Sequence, residues 1–305
     1  MIYRQLGDTG LRVSVIGLGT HQFAGEWGHK FDTQKVGAIL AKGQELGINL
    51  IDTAASYGDH LSEALIGRAV QPNRSNWIIA TKFGRTYSEA TGAVCDFSMP
   101  AVRSQLETSL KALRTDYIDL YQFHSGRNQD FDNDELWHFL NQQVRDGTIR
   151  CLGLSISYDL VASDDLHQLV RAREVGVGSV QIVYNRLVKK AEQAVLPRCN
   201  REGLGVVARV PLARGILSGS YDQNHVFPVD DYRARFSDGL NRELLREADW
   251  IKRNEVPGEV AMSEWALSWC LRNNDVDCVI PGCKDVTQVS SNARAVQLLG
   301  DECSP

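Results

Sequence analysis

The sequence has no run of about 18 apolar residues, so we expect no helix that crosses a membrane. The N-terminal residues 1–8 show no basic stretch followed by an apolar one, and a signal peptide is not expected. The seven cysteines are odd in number, scattered and without a CxxC pair, which argues against a disulfide framework or a zinc knuckle. These absences predict a cytoplasmic protein with no metal site.

An excess of positive charge is also missing. The formal net charge is -5 and the sequence pI is about 5.8, so we expect no general affinity for nucleic acid or for an anionic membrane. The 305 residues are 43% hydrophobic, which is ordinary for a globular protein and enough for a large core. With no linker or low-complexity tract in view, we expect one domain over residues 1–305.

The organising pattern is an alternation of short apolar runs with longer segments of helical period. The predicted strands are Val13–Gly19, Asn49–Asp52, Trp77–Thr81, Tyr117–Phe123, Cys151–Ser155, Ser179–Val183, Gly205–Val210 and Cys278–Ile280. The predicted helices are Gln34–Leu46, Ser62–Val70, Ala101–Leu113, Glu135–Arg145, Leu160–Glu174, Ala191–Arg201, Asn241–Arg253 and Val260–Leu271.

Eight such units predict the α/β class, with a parallel sheet covered by helices. A (β/α)8 TIM barrel accounts for eight units better than an open doubly wound sheet, although periodicity alone leaves both open. The stretch around Gly7–Gly10 predicts an N-terminal β-hairpin before the first barrel strand, and extra helices are expected near the C-terminus. The segment from Ser218 to Asp238 lacks a strong period and is expected to be a long functional loop.

Polar residues fall at the ends of several predicted strands, where barrel enzymes place their active sites. Asp52, Lys82 and His124 end the second, third and fourth strands, and Tyr57 lies in the loop after Asp52. On the same side, the fifth, sixth and seventh strands end near Ser155, Gln181 and Arg209.

The chemistry of the first four residues is coherent. A lysine ammonium near a tyrosine favours the phenolate and lowers the tyrosine pKa, and an aspartate keeps that lysine charged. A histidine can hold a substrate oxygen and relay protons near neutral pH. Tyr57 is then a general acid for a carbonyl oxygen, and hydride must come from a cofactor. Taken singly, each residue has a structural explanation: a hydrogen-bonded His, an Asp helix cap or a packed Tyr.

At these residues the sequence resembles the aldo-keto reductase family. The resemblance spans about Tyr3 to Ala295 and consists of an ordered series of motifs. They are Gly17–Thr20, Asn49–Ala54, Ser56–Gly58 with Ser62–Glu63, Ala80–Lys82, Leu106–Leu113, Tyr117–His124, Gly153–Ser155, Gln181 with Tyr184–Asn185, Pro211–Leu217, and Ile280–Gly282 with Asn292.

The resemblance implies a TIM barrel that binds NADPH across its C-terminal mouth without a Rossmann fold. It makes Tyr57 the acid, Lys82 and Asp52 its support, and His124 the residue that orients the substrate. It also implies the following cofactor-binding residues: Gly19, Thr20, Asp52, Ser155, Gln181, Arg209, Val210, Pro211, Leu212, Gly215, Leu217, Gly282, Lys284, Gln288 and Asn292.

The chain departs from the family pattern at three places. Ile156 replaces an asparagine that follows the serine in many members, and Arg209 stands where an aromatic residue often stacks on the nicotinamide. At the adenosine end Lys284 is the only obvious cation for a 2′-phosphate, so NADP is preferred and NAD is the second choice.

The substrate is expected to be a small carbonyl compound or alcohol. Tyr57 and His124 are expected to hold it, with Trp27 in the first long loop shaping the pocket. A metal-dependent hydrolase is disfavoured because only His124 and Asp52 lie where ligands would be needed. A cofactor-binding regulatory subunit with slow turnover is the alternative function. Neither the substrate nor the oligomeric state follows from the sequence.

Overall fold

The computed structural model describes residues 1–25, 30–88, 92–228 and 231–300. Its strands are β1 (Tyr3–Gln5), β2 (Arg12–Ser14), β3 (Leu18–Gly19), β4 (Leu50–Asp52), β5 (Ile78–Phe83), β6 (Arg85–Ser88), β7 (Gly92–Cys95), β8 (Ile118–His124), β9 (Ile149–Ser155), β10 (Val177–Val183), β11 (Gly205–Arg209) and β12 (Cys278–Val279). β1 pairs with β2 and β6 with β7, in two antiparallel hairpins.

The other eight strands form one parallel sheet in the order β12-β11-β10-β9-β8-β5-β4-β3. Two parallel bridges, Ile16 with Val279 and Gly19 with Gly282, join the first strand to the last. Gly19 has to be small at this junction, because a Cβ there would lie 2.7 Å from the carbonyl oxygen of Ile280. The sheet is therefore closed, and the predicted barrel is confirmed over the open sheet.

Helices follow the barrel strands along the chain. They are α1 (Thr33–Glu45), α2 (Leu61–Val70), α3 (Met99–Leu113), α4 (Asn128–Phe131), α5 (Asp134–Arg145), α6 (Tyr158–Ala162), α7 (His167–Arg171), α8 (Val195–Arg201), α9 (Asp238–Asn254), α10 (Met262–Leu271) and α11 (Val286–Arg294). Of the extra helices predicted near the C-terminus, α11 is present among the described residues. No helix within the described ranges is both long and apolar enough to span a membrane.

The hairpin β1–β2 covers the N-terminal end of the barrel. Leu6, Leu11 and Val13 are buried with the inward-facing strand residues in one apolar cluster. The backbone N–H of Asp8 donates to the carbonyl of Gly203 at 3.0 Å, just before β11. Because this end is covered, the carboxyl ends of the strands form the accessible mouth.

Two predicted elements divide in the structure, and one hairpin is additional. Strand Val13–Gly19 divides between the hairpin and the barrel, so only Leu18–Gly19 remains as β3. Helix Leu160–Glu174 divides into α6 and α7, because Asp164 has a positive φ of 56° and ends the first helix. The hairpin β6–β7, inserted between β5 and α3, was not predicted.

Candidate active site

Lys82 is the centre of the polar cluster at the barrel mouth. Its Nζ donates to Asp52 Oδ2 and to the carbonyl oxygen of Thr53, each at 2.7 Å, and to the hydroxyl of Tyr57 at 3.4 Å. The side chain is 1% exposed, so these partners take the place of water around the ammonium. The structure thus brings together three of the four residues predicted to handle protons.

Asp52 is held from the other side by two amides. Gln181 Nε2 donates to Asp52 Oδ1 at 2.6 Å, and Gln122 Nε2 lies 3.3 Å from the same oxygen. Both glutamines are buried. With Lys82 on Oδ2 and amides on Oδ1, the buried carboxylate is paired and its position is determined.

A sharp turn presents Tyr57. Gly58, Asp59 and His60 all have positive φ, at 65°, 49° and 65°, which folds the chain back into α2. The N–H of Ser62 then donates to the carbonyl of Tyr57 at 3.2 Å. Two consecutive non-glycine residues in the left-handed region store strain, which is common where a side chain must be aimed.

The base of this turn is fixed by a buried carboxylate, Glu63. It accepts from Thr81 Oγ1 at 2.6 Å and from Ser109 Oγ at 3.2 Å, and it contacts His60 Nδ1 at 2.5 Å. Glu63 therefore ties the loop that carries Tyr57 to the strand that carries Lys82 and to α3.

Two histidine rings flank Tyr57. The ring of His124 lies 6.3 Å from that of Tyr57, edge on, and His21 packs edge on from another side at 4.7 Å. His124 Nδ1 is buried and has no hydrogen-bond partner among the described residues. His21 was not predicted as a site residue, although its place directly after Thr20 at a strand end was a usable signal.

The tyrosine pKa differs from the expectation. Burial is the largest influence and raises the pKa of Tyr57 above its usual 10.0, and the nearby Lys82 only partly offsets this. Burial also opposes the charge of Lys82, but Asp52 and Tyr57 together outweigh it and raise the pKa of Lys82. The site therefore holds a neutral phenol beside a charged ammonium, and the expected lowering of the tyrosine pKa is wrong for this state.

The expectation for His124 is corrected in the same way. Burial, followed by the charges of Lys82, Arg85 and Arg209, lowers the pKa of His124 well below 6.5. The imidazole is neutral across the neutral pH range, so it can donate a hydrogen bond but does not relay protons by titrating near pH 7.

Strand register places the next predicted residues in a row. Ser155 lies beside His124 on one strand and beside Gln181 on the other. Arg209 ends β11, where its Nη2 donates to the carbonyl of Ile156 at 3.1 Å. Its Nε is buried without a partner among the described residues.

The loop after β11 is unusually constrained. Val210, Ala213 and Arg214 have positive φ without being glycine, and Gly215 continues the turn at 90°. The loop contains Pro211 and Leu217, both buried, and the half-buried Leu212. Such a run of left-handed residues is typical of a ligand clamp.

Between β12 and α11, side chains stabilise a turn. Gln288 Oε1 accepts from the N–H of Lys284 at 3.0 Å, and Asp285 caps α11. Asn292 is buried with its Nδ2 unpaired among the described residues. Gly282 lies against Gln22, whose Oε1 is also buried and unpaired there.

Two predicted residues stand apart from these. Thr20 is fully buried, and its hydroxyl donates to the carbonyl of Asp52 at 2.9 Å and contacts Ser62, so its side chain serves the fold. Trp27 lies outside the described residues.

Fold and site together define an oxidoreductase enzyme on a (β/α)8 barrel. The chain belongs to the aldo/keto reductase family, whose model matches residues 15–303. This confirms the family resemblance seen in the sequence.

Individual proteins agree with that assignment. The chain is 32% identical to the uncharacterized oxidoreductase YrpG of Bacillus subtilis, over 99% of this chain and 93% of that protein. It is 26% identical to the NADH-specific methylglyoxal reductase of Escherichia coli, over 96% of this chain and 93% of that one. The holo form of aldo-keto reductase AKR11C1 from Bacillus halodurans superposes with a TM-score of 0.80 at 30% identity, covering 97% and 91% of the two chains.

Proposed function

We propose that this protein reduces an aldehyde or ketone to an alcohol, or catalyses the reverse reaction, with NADPH as hydride donor and Tyr57 as general acid. The observation that carries the proposal is the position of Lys82, which lies between Asp52 and Tyr57. A structural ion pair would need only the aspartate. A buried ammonium shared with a phenol suits a site where the phenol gives up its proton.

Four buried polar atoms support a bound cofactor. Among the described residues His124 Nδ1, Arg209 Nε, Gln22 Oε1 and Asn292 Nδ2 have no partner. Leaving such atoms unpaired costs roughly 1–3 kcal/mol each, so a ligand or water is expected to satisfy them. They belong to elements that surround the mouth, as a long dinucleotide lying across it would require.

The protein's own part in the reaction follows from the geometry. When bound, the nicotinamide cofactor supplies or accepts the hydride. Tyr57 donates its proton to the carbonyl oxygen, and Lys82 stabilises the phenolate that remains. Asp52 keeps Lys82 charged and in place, while neutral His124 donates a hydrogen bond that orients the oxygen.

The residues for the cofactor are those along the strand ends. Ser155 and Gln181 would hold the carboxamide; because the Gln181 amide nitrogen is bound to Asp52, its carbonyl oxygen is the atom to offer. Arg209 would face the nicotinamide. The constrained loop would hold the pyrophosphate through Val210, Pro211, Leu212, Gly215 and Leu217, and the adenosine end would meet Gly282, Lys284, Gln288 and Asn292.

We favour NADPH over NADH because Lys284 is available to a 2′-phosphate. A relative named for NADH makes NADH the second candidate. Tyr57 and His124 would contact the substrate carbonyl, and Trp27 would shape the outer pocket.

Replacing Tyr57 by phenylalanine tests the proposal. Tyr57→Phe removes the proton donor and leaves the ring, so we expect steady-state aldehyde reduction to fall roughly 10²–10⁴-fold. The NADPH Kd, from fluorescence titration, should change by less than about twofold. Tyr117→Phe is the matched control, because Tyr117 precedes β8 at the opposite end of the barrel.

The same experiment decides between enzyme and regulatory subunit. A wild-type protein that binds NADPH but turns over slowly with every aldehyde, and is unaffected by Tyr57→Phe, would contradict the proposed function and favour the regulatory alternative.

A further inference from the structure

Positive side chains lie on opposite walls of the barrel mouth. Arg85 follows Lys82 by three residues, just beyond β5, and Arg209 ends β11. In the closed sheet β8, β9 and β10 separate these two strands, so the arginines face each other across the barrel. His124 ends β8, between them and beside Tyr57.

The backbone at Arg85 and the guanidinium of Arg209 are held in place. Gln105 of α3 fixes the start of β6, accepting from the N–H of Gly84 at 2.7 Å and donating to the carbonyl of Arg85 at 2.8 Å. Arg209 is anchored through Nη2 on Ile156 and keeps a buried, unpartnered Nε. An N–H of a charged guanidinium without an acceptor is a strong binding group for an anion.

The charges at the mouth are unbalanced. Among the described residues, Asp52 is the carboxylate that contacts this cluster of positive side chains. Its negative charge is already neutralised by Lys82. Burial is the largest influence that lowers the pKa of His124. The next influences are the charges of four side chains: Lys82, Arg85, Arg209 and His21. Although the whole chain carries a net charge of -5, its mouth is positive, and such a cleft concentrates anions.

The phosphates of a dinucleotide do not account for Arg85. Under the proposed function they lie against the loop after β11 and near Lys284 after β12, on one side of the barrel. Arg85 is on the β5 side, across the barrel from that loop, and the proposed function leaves this side to the substrate. Its charge is therefore available to the substrate.

We propose that the substrate of this enzyme is an anionic carbonyl compound, in which Arg85 holds a carboxylate or phosphate while Tyr57 and His124 hold the carbonyl oxygen. This inference rests on the proposed function and names its substrate class. Arg209, which would face the nicotinamide, adds its charge to the positive mouth.

Matched pairs of aldehydes test this inference. For the carboxylate we would compare 4-carboxybenzaldehyde with its methyl ester, and for the phosphate glycolaldehyde phosphate with glycolaldehyde, each with saturating NADPH. We expect kcat/KM for one anionic member to exceed that of its neutral partner by at least about tenfold at low salt, since a charged hydrogen bond is involved. That ratio should fall several-fold in 0.5 M NaCl.

Arg85→Met should bring the anionic-to-neutral ratio close to one. Arg145→Met is the matched control, because Arg145 lies exposed near the C-terminal end of α5, away from the mouth, and should leave the ratio unchanged. Calorimetry on the NADPH complex, with 4-(hydroxymethyl)benzoate and its methyl ester, supplies a second measurement that needs no turnover. The acid should bind at least about tenfold more tightly, and Arg85→Met should remove the difference.

The outcomes separate the two proposals. Two results would overturn the anionic substrate and keep the reductase. In the first, the neutral aldehydes are reduced as well as both anionic ones. In the second, Arg85→Met leaves the anionic-to-neutral ratio of kcat/KM unchanged. If no aldehyde is reduced, the proposed function fails, and the calorimetric comparison alone decides whether the mouth binds anions.

Discussion

At the scale of single residues, burial and neighbouring charges decide which side chains of the site are charged. Burial raises the pKa of Tyr57 and lowers that of His124, while Lys82 stays charged because Asp52 lies beside it. The phenol and the imidazole are therefore both neutral over a wide pH range. Both are then in the protonation state that the proposed carbonyl reduction requires.

These pKa directions predict a flat pH profile for reduction. Under the proposed function Tyr57 must be protonated to act, so activity is retained through its usual pKa of 10.0 and is lost only as the pH rises through the raised pKa. His124 titrates well below 6.5, so its protonation produces no step near pH 6.5. Initial rates of aldehyde reduction between pH 5.5 and 10.5 would check this. A break near pH 6.5 that Tyr57→Phe leaves in place would show that His124 titrates there and would contradict the assignment.

At the scale of elements, close packing between helices limits which residues can occupy a contact position. Gly67 in α2 lies against the end of α3, where a Cβ would come 2.4 Å from the carbonyl oxygen of Ala112. Gly37 in α1 has nothing within 4 Å of the same position. Gly67 therefore has no room for a methyl group, whereas Gly37 does.

Alanine substitutions at these glycines should change stability in opposite directions. Gly67→Ala should lower the free energy of unfolding by roughly 1–3 kcal/mol, because α2 and α3 must move apart. Gly37→Ala should raise it by about 0.5–1 kcal/mol, the usual gain in a helix interior. Urea unfolding followed by circular dichroism would measure both, and a stabilising Gly67→Ala would refute the packing argument.

At the scale of the whole molecule, the barrel is closed at one end and open at the other. The hairpin β1–β2 covers the N-terminal end, and the bridges of Ile16 and Gly19 join the first and last strands. Asp52, Lys82, His124 and Tyr57 are carried by strand ends or a following loop at the other end. A ligand that spans this mouth contacts several barrel units at once, so it should stabilise the whole fold.

Thermal unfolding with cofactor should reveal that coupling. NADPH at about 100 times its Kd should stabilise the protein by roughly 2.7 kcal/mol and raise Tm by several degrees. Lys284→Ala should weaken NADPH about tenfold and leave NADH unchanged, because only NADPH carries the 2′-phosphate. Lys111→Ala, on the exposed surface of α3, is the control. An equal loss for both nucleotides would show that Lys284 does not contact that phosphate.

The sequence by itself determined the eight alternating strand–helix units and the main candidates for the site. Alternating periods are local properties, and Asp52, Lys82 and His124 are recognisable because each falls at the end of an apolar run. Glycines such as Gly47, with a φ of 80°, mark helix ends in the same local way.

The tertiary structure decided the contacts and the charges. His21 on Tyr57, Gln122 on Asp52 and Arg85 opposite Arg209 all join segments that are distant along the chain, and no local pattern encodes them. The protonation of Tyr57 and His124 depends on how deeply the finished barrel buries them. Burial is a property of the whole packing, and for this reason the sequence predicted the candidate residues but the wrong direction of the Tyr57 pKa.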